Sequence, residues 1–522
     1  MIFETQKEII NVLSDSITYG IDIPVEVKQS HISLLFLTPT HVYKLKRAVL
    51  YPNVDFSTPE KRRLACVSEM KRSIVYAPHL IEGIESVRRL KNGQIVLGGR
   101  QGEEIDTVLK MRRINDDHLV ETMIEKGRFD RFEMMDMAEQ LANLHAKAQT
   151  FHHKWGVEDV KRIILEIEAV NTCFCSDLFD KEQLDAWIKR CLENLNAQAP
   201  LIQFRQKAGH VRKCHGELLL SNIALENEKF LFFSPVEYND SLDKTDTLYD
   251  LANLTMDLEY RGLRRLANIL FNHYIAYTND MAGFPLMGLY QSVRAMRRAH
   301  VWAKRSLLLK GKNKISAKRE ARGYFDLACH FMTPFRPLLI ACGGLSGSGK
   351  SRVAREIGGL MNPAPGAVIV RDDIVRKQIL GLKPEQPLDP MYATPAFEKV
   401  VYDVLRQQAK TALMQGSCVI MDALFYDQLE REAVSFLAKE AGVPFLGLWM
   451  EAPLQERTHR VETRLRNPSD VRRECELVSQ LNLKTGRILW HKISTAGPKE
   501  ETIKNVVRIL KKYTKVHSKS IR

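Results

Sequence analysis

The sequence predicts a mixed α/β and α+β protein, with an amino-terminal two-lobed domain over residues 1–332 and a carboxy-terminal parallel α/β sheet over residues 337–522. Three observations support this prediction. A glycine-rich loop near residue 344 stands between an apolar run and a helical pattern, and later apolar runs end in acidic residues. The amino-terminal part opens with alternating, strand-like segments and then becomes helical. A chain of 522 residues is also too long for one hydrophobic core.

The glycine-rich loop fits the pattern G-x-x-x-x-G-K-[ST] at every fixed position, reading Gly344-Leu345-Ser346-Gly347-Ser348-Gly349-Lys350-Ser351. An apolar run precedes it and a helical pattern follows, which is the order that a phosphate-binding loop needs. In such a loop the backbone N–H groups surround the β-phosphate, and the helix N-terminus adds about half a positive charge. We expect Lys350 to bridge the β- and γ-phosphates of ATP and Ser351 to hold Mg²⁺. An ordinary Gly/Ser loop is the alternative.

Two acidic residues follow the second apolar run, 367–370. Asp373 and Arg376 are spaced i, i+3, so the carboxylate can accept a hydroxyl proton while the guanidinium steadies phosphoryl charge. Asp372 is the alternative base, and a helix N-cap is the structural alternative. This D-x-x-R resembles the polynucleotide 5′-hydroxyl kinase, zeta-toxin and small-metabolite kinase branch of phosphate-loop proteins. That resemblance implies that the Asp activates the acceptor hydroxyl.

Two further features complete the carboxy-terminal prediction. The third apolar run, 418–421, ends in Asp422, which we expect to reach Mg²⁺ through water; a turn-initiating Asp is the alternative. Arg464 and Arg466 belong to a basic segment that resembles the lid of this kinase branch, closing over the triphosphate. A solvated arginine face is the alternative for each of them.

The amino-terminal domain begins with a predicted hairpin over residues 32–46 that carries Lys44 in its second strand. A helical pattern then starts near Ser57 and contains Glu69. A strand lysine followed by a helix glutamate is how kinase-like folds hold a lysine against the α- and β-phosphates. We therefore expect Lys44 and Glu69 to bind nucleotide, with two solvated charges as the alternative.

The segment His215-Gly216-Glu217, with Asn222 five residues after Glu217 and Asp250-Leu251-Ala252 further on, resembles the aminoglycoside phosphotransferase-like kinases and their H-G-D-x-x-x-x-N loop. Especially similar is a bacterial subfamily whose chain continues into a phosphate-loop kinase, so the resemblance covers essentially the whole chain. It implies that Glu217 accepts the substrate proton. It also implies that Asn222 and Glu237 hold Mg²⁺.

The chain differs from this family at positions that in the family accept the substrate proton or carry polar or acidic side chains. Glu217 is one methylene longer than the family's Asp, and a shift of about 1 Å can lower a rate about a hundredfold. Leu219 and Ser234 stand where the subfamily tends to have polar or acidic residues. We therefore favour a binding or regulatory amino-terminal domain over an active kinase.

Composition narrows the class of protein. Hydrophobic residues at 45% and charged residues at 27% are typical of a globular chain. No apolar run approaches the roughly 18 residues of a membrane span, so we expect a cytoplasmic protein without a membrane partner. The nine cysteines lack zinc-site spacing. The net charge of +14 is spread along the chain, which favours a solvated surface over nucleic-acid binding. The oligomeric state is left open, and the lysine-rich run 310–314 is expected to be an exposed loop.

Together these features predict an ATP- and Mg²⁺-dependent phosphotransferase that moves the γ-phosphoryl group to a hydroxyl acceptor at the carboxy-terminal site, and we favour a small molecule as the acceptor. One alternative is a nucleotide-dependent switch with a regulatory amino-terminal domain. Another is a polynucleotide 5′-hydroxyl kinase.

Overall fold

The computed structural model describes residues 6–30, 32–51, 54–174, 178–236, 243–463, 483 and 485–513 of the chain. Within these ranges, none of the helices combines the length and apolar character that crossing a bilayer requires.

The first lobe is an antiparallel six-stranded sheet in the order β1-β2-β3-β8-β6-β7. Helix α2 packs on this sheet and begins at Pro59 because the Thr58 side chain accepts a hydrogen bond from the Lys61 amide. The elements of this lobe are α1 (Lys7–Ser14), β1 (Glu26–Gln29), β2 (Ser33–Leu37), β3 (His41–Lys46), β4 (Leu50–Tyr51), β5 (Val54–Asp55), α2 (Pro59–Tyr76), β6 (Ile81–Arg89), β7 (Ile95–Leu97) and β8 (Glu103–Arg112).

The second lobe is mainly helical, with two short antiparallel strand pairs, β9 with β12 and β10 with β11. Its elements are α3 (Val120–Glu125), α4 (Arg131–Lys147), α5 (Val157–Phe174), α6 (Lys181–Lys207), β9 (Val211–Lys213), β10 (Ile223–Glu226), β11 (Lys229–Phe232), β12 (Lys244–Asp246), α7 (Thr247–Tyr260), α8 (Arg264–Thr278), α9 (Leu286–Leu308) and α10 (Gly311–Phe331). The predicted loop at 310–314 is wrong, because α10 begins at Gly311.

The carboxy-terminal domain is a five-stranded parallel sheet in the order β14-β15-β13-β16-β17, flanked by helices. Its elements are β13 (Leu339–Gly343), α11 (Lys350–Gly358), β14 (Val368–Arg371), α12 (Asp372–Ile379), α13 (Pro395–Met414), β15 (Val419–Asp422), α14 (Gln428–Glu440), β16 (Phe445–Glu451), α15 (Leu454–Glu462), β17 (His491–Ser494) and α16 (Lys499–Leu510). The predicted fold class is therefore confirmed in both domains.

Helix α8 of the amino-terminal domain covers the free edge of strand β14. The Ile369 amide donates to Asn272 Oδ1 at 2.7 Å, and Asn272 Nδ2 donates to the Ala367 carbonyl at 3.1 Å. Asn268 Nδ2 donates to the same carbonyl at 3.0 Å. An edge strand exposes unpaired backbone groups, and here side-chain amides from the other domain satisfy them.

The two domains approach closely because glycines face α8. A Cβ atom on Gly358 would lie 2.5 Å from Asn268 Oδ1, and one on Gly359 would lie 3.0 Å from the Arg265 Cα. One cluster of buried hydrophobic side chains runs through both domains, from Tyr76 to Trp449. The interface is thus packed like a protein interior.

Replacing Asn272 with Ala tests this interface. The variant leaves the Ile369 amide without its acceptor, so we expect the free energy of unfolding to fall by about 1–3 kcal/mol in urea denaturation. Arg265→Ala is the matched control, because it breaks only a half-exposed ion pair with Glu356 and should cost less than about 1 kcal/mol. A larger loss in the control would contradict this account.

Candidate nucleotide and phosphoryl-transfer site

The loop between β13 and α11 is tightly bent. Gly344, Gly347 and Gly349 have φ angles of 143°, 79° and 90°, which other residues rarely adopt. A Cβ atom on Gly347 would also lie 2.5 Å from the Arg457 carbonyl oxygen. The Ser348 amide closes a turn on the Leu345 carbonyl at 3.0 Å. The backbone conformation therefore explains the glycines at the fixed positions 344 and 349, and Gly347 is required in addition by its close contact with Arg457.

Side chains from α15 and from the residue after β17 donate hydrogen bonds to the carbonyl groups of this loop. Arg457 Nε donates to the Ser346 carbonyl at 2.8 Å, and Arg460 Nη1 donates to the Gly347 carbonyl at 3.3 Å. Just after β17, Thr495 Oγ1 donates to the Ser348 carbonyl at 2.7 Å. These contacts occupy the carbonyl groups of the loop. The first N–H groups of α11 have no acceptor within the helix, so they remain available to bind an anion.

Lys350 starts α11 and forms no hydrogen bond or ion pair among the residues that the structure describes. Ser351 follows it in the first helical turn. The predicted lid residues Arg464 and Arg466 lie outside the described residues. Sequence reasoning did not identify Thr495, since a threonine nearly 150 positions from the loop has no local signal.

Acidic residues meet at the carboxyl ends of neighbouring strands. Arg371 of β14 pairs in register with Asp422 of β15, and Asp372 and Asp373 open α12 directly afterwards. Arg371 Nη2 donates to Asp373 Oδ2 at 2.5 Å, and its Nε lies 3.7 Å from Asp422 Oδ2. Arg371 thus lies between the carboxylates of Asp373 and Asp422. The only sequence signal for these contacts is the position of Arg371 directly before Asp372 and Asp373.

The carboxylates retain oxygens that suit a hard cation. Asp373 Oδ1 and Asp422 Oδ1 are buried, and neither has a hydrogen-bond partner within the described part of the chain. A buried carboxylate oxygen without a donor is costly, and Mg²⁺ and its water ligands satisfy such atoms. The residues present therefore fit a magnesium ion held by Ser351 and Asp422.

Asp372 and Arg376 lie in a crowded electrostatic environment. Burial raises the pKa of Asp372 to about 7, although the positive charges of Arg376 and Lys350 act in the opposite direction. Arg376 Nη2 binds the Glu398 carboxylate of α13, with distances of 2.6 and 2.5 Å to its two oxygens. No sequence motif links Arg376 to Glu398, which lies 22 residues away.

In the amino-terminal domain, Lys44 and Glu69 lie together. Lys44 Nζ donates to Glu69 Oε1 at 2.8 Å, and Lys46 Nζ donates to the other oxygen of the same carboxylate. All three residues are buried. Residues two apart on a strand share a face, so one glutamate binds both lysines.

The loop after β9 is held by a buried carboxylate. Asp250 accepts hydrogen bonds from the amides of His215 at 3.0 Å and Gly216 at 2.8 Å. Asn222 Nδ2 donates to the Glu217 carbonyl at 3.0 Å. The Glu217 side chain is 36% exposed, and its Oε1 lies 3.6 Å from Arg298 Nη1. The carboxylate therefore faces an arginine.

The segment after β11 is described only as far as Val236. Ser234 has a φ angle of 56°, and the Val236 carbonyl accepts a hydrogen bond from Arg72 of α2 at 2.6 Å. Glu237, the predicted metal ligand, lies outside the described residues.

Residues 339–478 match the family described as "AAA domain". This match confirms the predicted phosphate-loop domain, which follows the two-lobed amino-terminal domain described above. The chain is also 25% identical, over 489 residues, to uncharacterised proteins of Mycobacterium tuberculosis and Mycobacterium bovis, covering 92% of this chain and 94% of theirs.

Solved structures similar to this chain fall into two groups. A choline/ethanolamine kinase family protein from Mesorhizobium loti is 12% identical and aligns with 63% of this chain and 99% of its own, with a TM-score of 0.37. The Mycobacterium tuberculosis APS kinase CysC, solved with AMPPNP and APS, is 18% identical and aligns with 34% and 99%, with a TM-score of 0.26.

The raised pKa of Asp372 predicts a pH dependence of stability. Because the pKa rises from 3.8 to about 7 on folding, the protonated form is favoured in the folded state. The free energy of unfolding should therefore fall, by at most about 1.4 kcal/mol per pH unit, as pH rises towards about 7, and this contribution should be constant above it.

Urea denaturation of wild type and Asp372→Asn between about pH 5 and 8, without nucleotide, measures this effect. The stability of the variant relative to wild type should increase with pH and then level off. Asp403→Asn, which removes an exposed carboxylate on α13, is the control and should not reproduce the slope. A difference between Asp372→Asn and wild type that is independent of pH would refute the assignment.

Proposed function

We propose that the protein is an ATP- and Mg²⁺-dependent phosphotransferase that moves the γ-phosphoryl group to the hydroxyl of a small molecule at its carboxy-terminal site. One observation carries the proposal. Three features lie together at the carboxyl ends of the strands of one parallel sheet: the phosphate loop after β13, Asp422 at the end of β15 and the acidic pair after β14. In open α/β sheets, ligands bind at the carboxyl ends of the strands.

The proposed reaction relies on positioning and on charge neutralisation. The acceptor oxygen forms a bond to the γ-phosphorus while the bond from that phosphorus to the β,γ-bridging oxygen breaks, and ADP leaves. The acceptor proton passes to Asp373, or to Asp372 as the alternative base. Lys350 neutralises charge on the β- and γ-phosphates. When bound, Mg²⁺ would add further neutralisation, held by Ser351 and Asp422.

The cations near the acids would have to exchange partners during this cycle. Arg371 binds Asp373, and Arg376 binds Glu398. A carboxylate oxygen that already accepts a hydrogen bond from a guanidinium is less available to accept the proton of a hydroxyl group. We propose that triphosphate binding draws Arg376 from Glu398 and that acceptor binding releases Asp373 from Arg371.

We assign the amino-terminal domain a binding or regulatory role. Its nucleotide lysine is held by Glu69, but the Glu217 carboxylate is near Arg298 and a serine occupies position 234. These substitutions weaken the case for transfer in this domain.

Two variants separate an enzyme from a nucleotide-dependent switch. Lys350→Ala should lose ATP binding and transfer, because it removes the cation that bridges the phosphates. Asp373→Asn should bind ATP normally but transfer the γ-phosphoryl group about 10²–10⁴-fold more slowly, as expected for loss of a general base. The assay is transfer from labelled ATP to pooled hydroxyl metabolites and to 5′-hydroxyl oligonucleotides.

Arg352→Ala, on the same helix as Lys350, is the matched control and should keep transfer. If Asp373→Asn is fully active while Asp372→Asn is not, the base is Asp372. If neither variant affects transfer, or wild type transfers to no acceptor, the phosphotransferase proposal is wrong and the switch is favoured. Transfer confined to oligonucleotides would identify a polynucleotide kinase.

Glu217→Ala tests which domain carries the chemistry. We expect transfer to be unchanged within about twofold, because the carboxy-terminal site does not include this residue. Asn222→Ala should behave in the same way. Transfer that is lost in Glu217→Ala but kept in Lys350→Ala would place the active centre in the amino-terminal domain.

A further inference from the structure

A cavity of about 80 Å³ lies between the two domains, beside the covered edge of β14. Its walls come from α8, through Asn272 and His273, and from the carboxy-terminal domain, through Ser351, Arg355, Arg371 and Gln378. A single water needs about 10–15 Å³ of such space, so the cavity can hold a ligand of several heavy atoms.

Arg355 brings an uncompensated positive charge to this cavity. It forms no ion pair or hydrogen bond among the described residues, and the adjacent Glu356 is bound to Arg265. Burial lowers the pKa of Arg355 to about 10, and the neighbouring charges of Arg371 and Arg131 act in the same direction. The negative charges of Asp422 and Glu356 act in the opposite direction, but neither carboxylate forms an ion pair with Arg355. Arg355 is still protonated at neutral pH, so a cation without an ion-pair partner among the described residues lines the cavity.

The other charged groups nearby do not supply the missing anion. Arg371 is occupied by Asp373 and Asp422. His273 lies 3.7 Å from the half-exposed Glu385, and burial lowers the pKa of His273 to about 4, so the imidazole is neutral at pH 7.

The cavity region also contains an acceptor without a donor. Gln408 lines the cavity, and its Oε1 is buried and has no hydrogen-bond partner among the described residues. A bound group with an O–H donor would satisfy this oxygen, while a negative charge would satisfy Arg355.

We infer that this interdomain cavity binds a small phosphate-bearing ligand that also carries an O–H group, with its phosphate on Arg355. The cavity adjoins the nucleotide site, because Ser351 lines it, but ligand binding at Arg355 does not require that phosphoryl transfer occurs. Since α8 and the phosphate-loop helix α11 both line it, an occupied site links the amino-terminal domain to the nucleotide site.

Inorganic phosphate is a suitable probe, because HPO₄²⁻ carries both the charge and an O–H group. The experiment is calorimetric titration of phosphate into the full chain saturated with ADP and Mg²⁺, which occupies the phosphate loop, at constant ionic strength with chloride. We expect wild type and Arg352→Met to bind phosphate equally. Arg355→Met should bind it at least about tenfold more weakly, because a charge-assisted hydrogen bond is lost.

Arg352 is the matched control because it lies on the same helix, makes no ion pair or hydrogen bond among the described residues and does not line the cavity. The affinity for ADP, measured separately, should be the same in all three proteins. Equal phosphate binding by Arg355→Met and wild type would overturn the inference, as would absence of phosphate binding by wild type. A parallel loss of ADP affinity in Arg355→Met would also overturn it, because Arg355 would then act through the phosphate loop.

Discussion

The backbone of strand β14 is the constraint on which the arrangement of the two domains depends. One edge of this strand pairs with β15, and the other would be unpaired without the amides of Asn268 and Asn272. Because buried backbone groups must be hydrogen-bonded, helix α8 fixes the amino-terminal domain against this edge. The same strand ends in Arg371 and leads into Asp372 and Asp373, so the interface supports the acidic end of the site.

The lysines predicted to bind nucleotide have different contacts in the two domains. In the amino-terminal domain, Glu69 binds both Lys44 and Lys46, and the Glu217 carboxylate lies near Arg298. In the carboxy-terminal domain, Lys350 forms no ion pair among the described residues. An anion can therefore bind there without first breaking a lysine–carboxylate pair. This contrast is the main electrostatic reason to assign the chemistry to the second domain.

The sequence predicted the parts of the protein whose structure depends on neighbouring residues in the chain. The phosphate loop was recognisable because its backbone requires glycine at fixed positions, and the strands were recognisable as apolar runs ending in acids. It failed for residues 310–314, where Lys and Asn suggested a loop but a long helix forms. It also could not reveal partners distant in the chain, such as Glu398 for Arg376 or Asn272 for β14. Those contacts depend on how the helices pack, which no short motif encodes.

The most direct test of the central claim is amide hydrogen exchange on the full chain, with and without ATP and Mg²⁺. If the triphosphate binds the loop, amides from Gly344 to Ser351 should exchange markedly more slowly when nucleotide is present, because they donate to phosphate oxygens. Peptides covering His215 to Asn222 should change much less. Protection confined to those amino-terminal peptides, with none in the loop, would contradict the account.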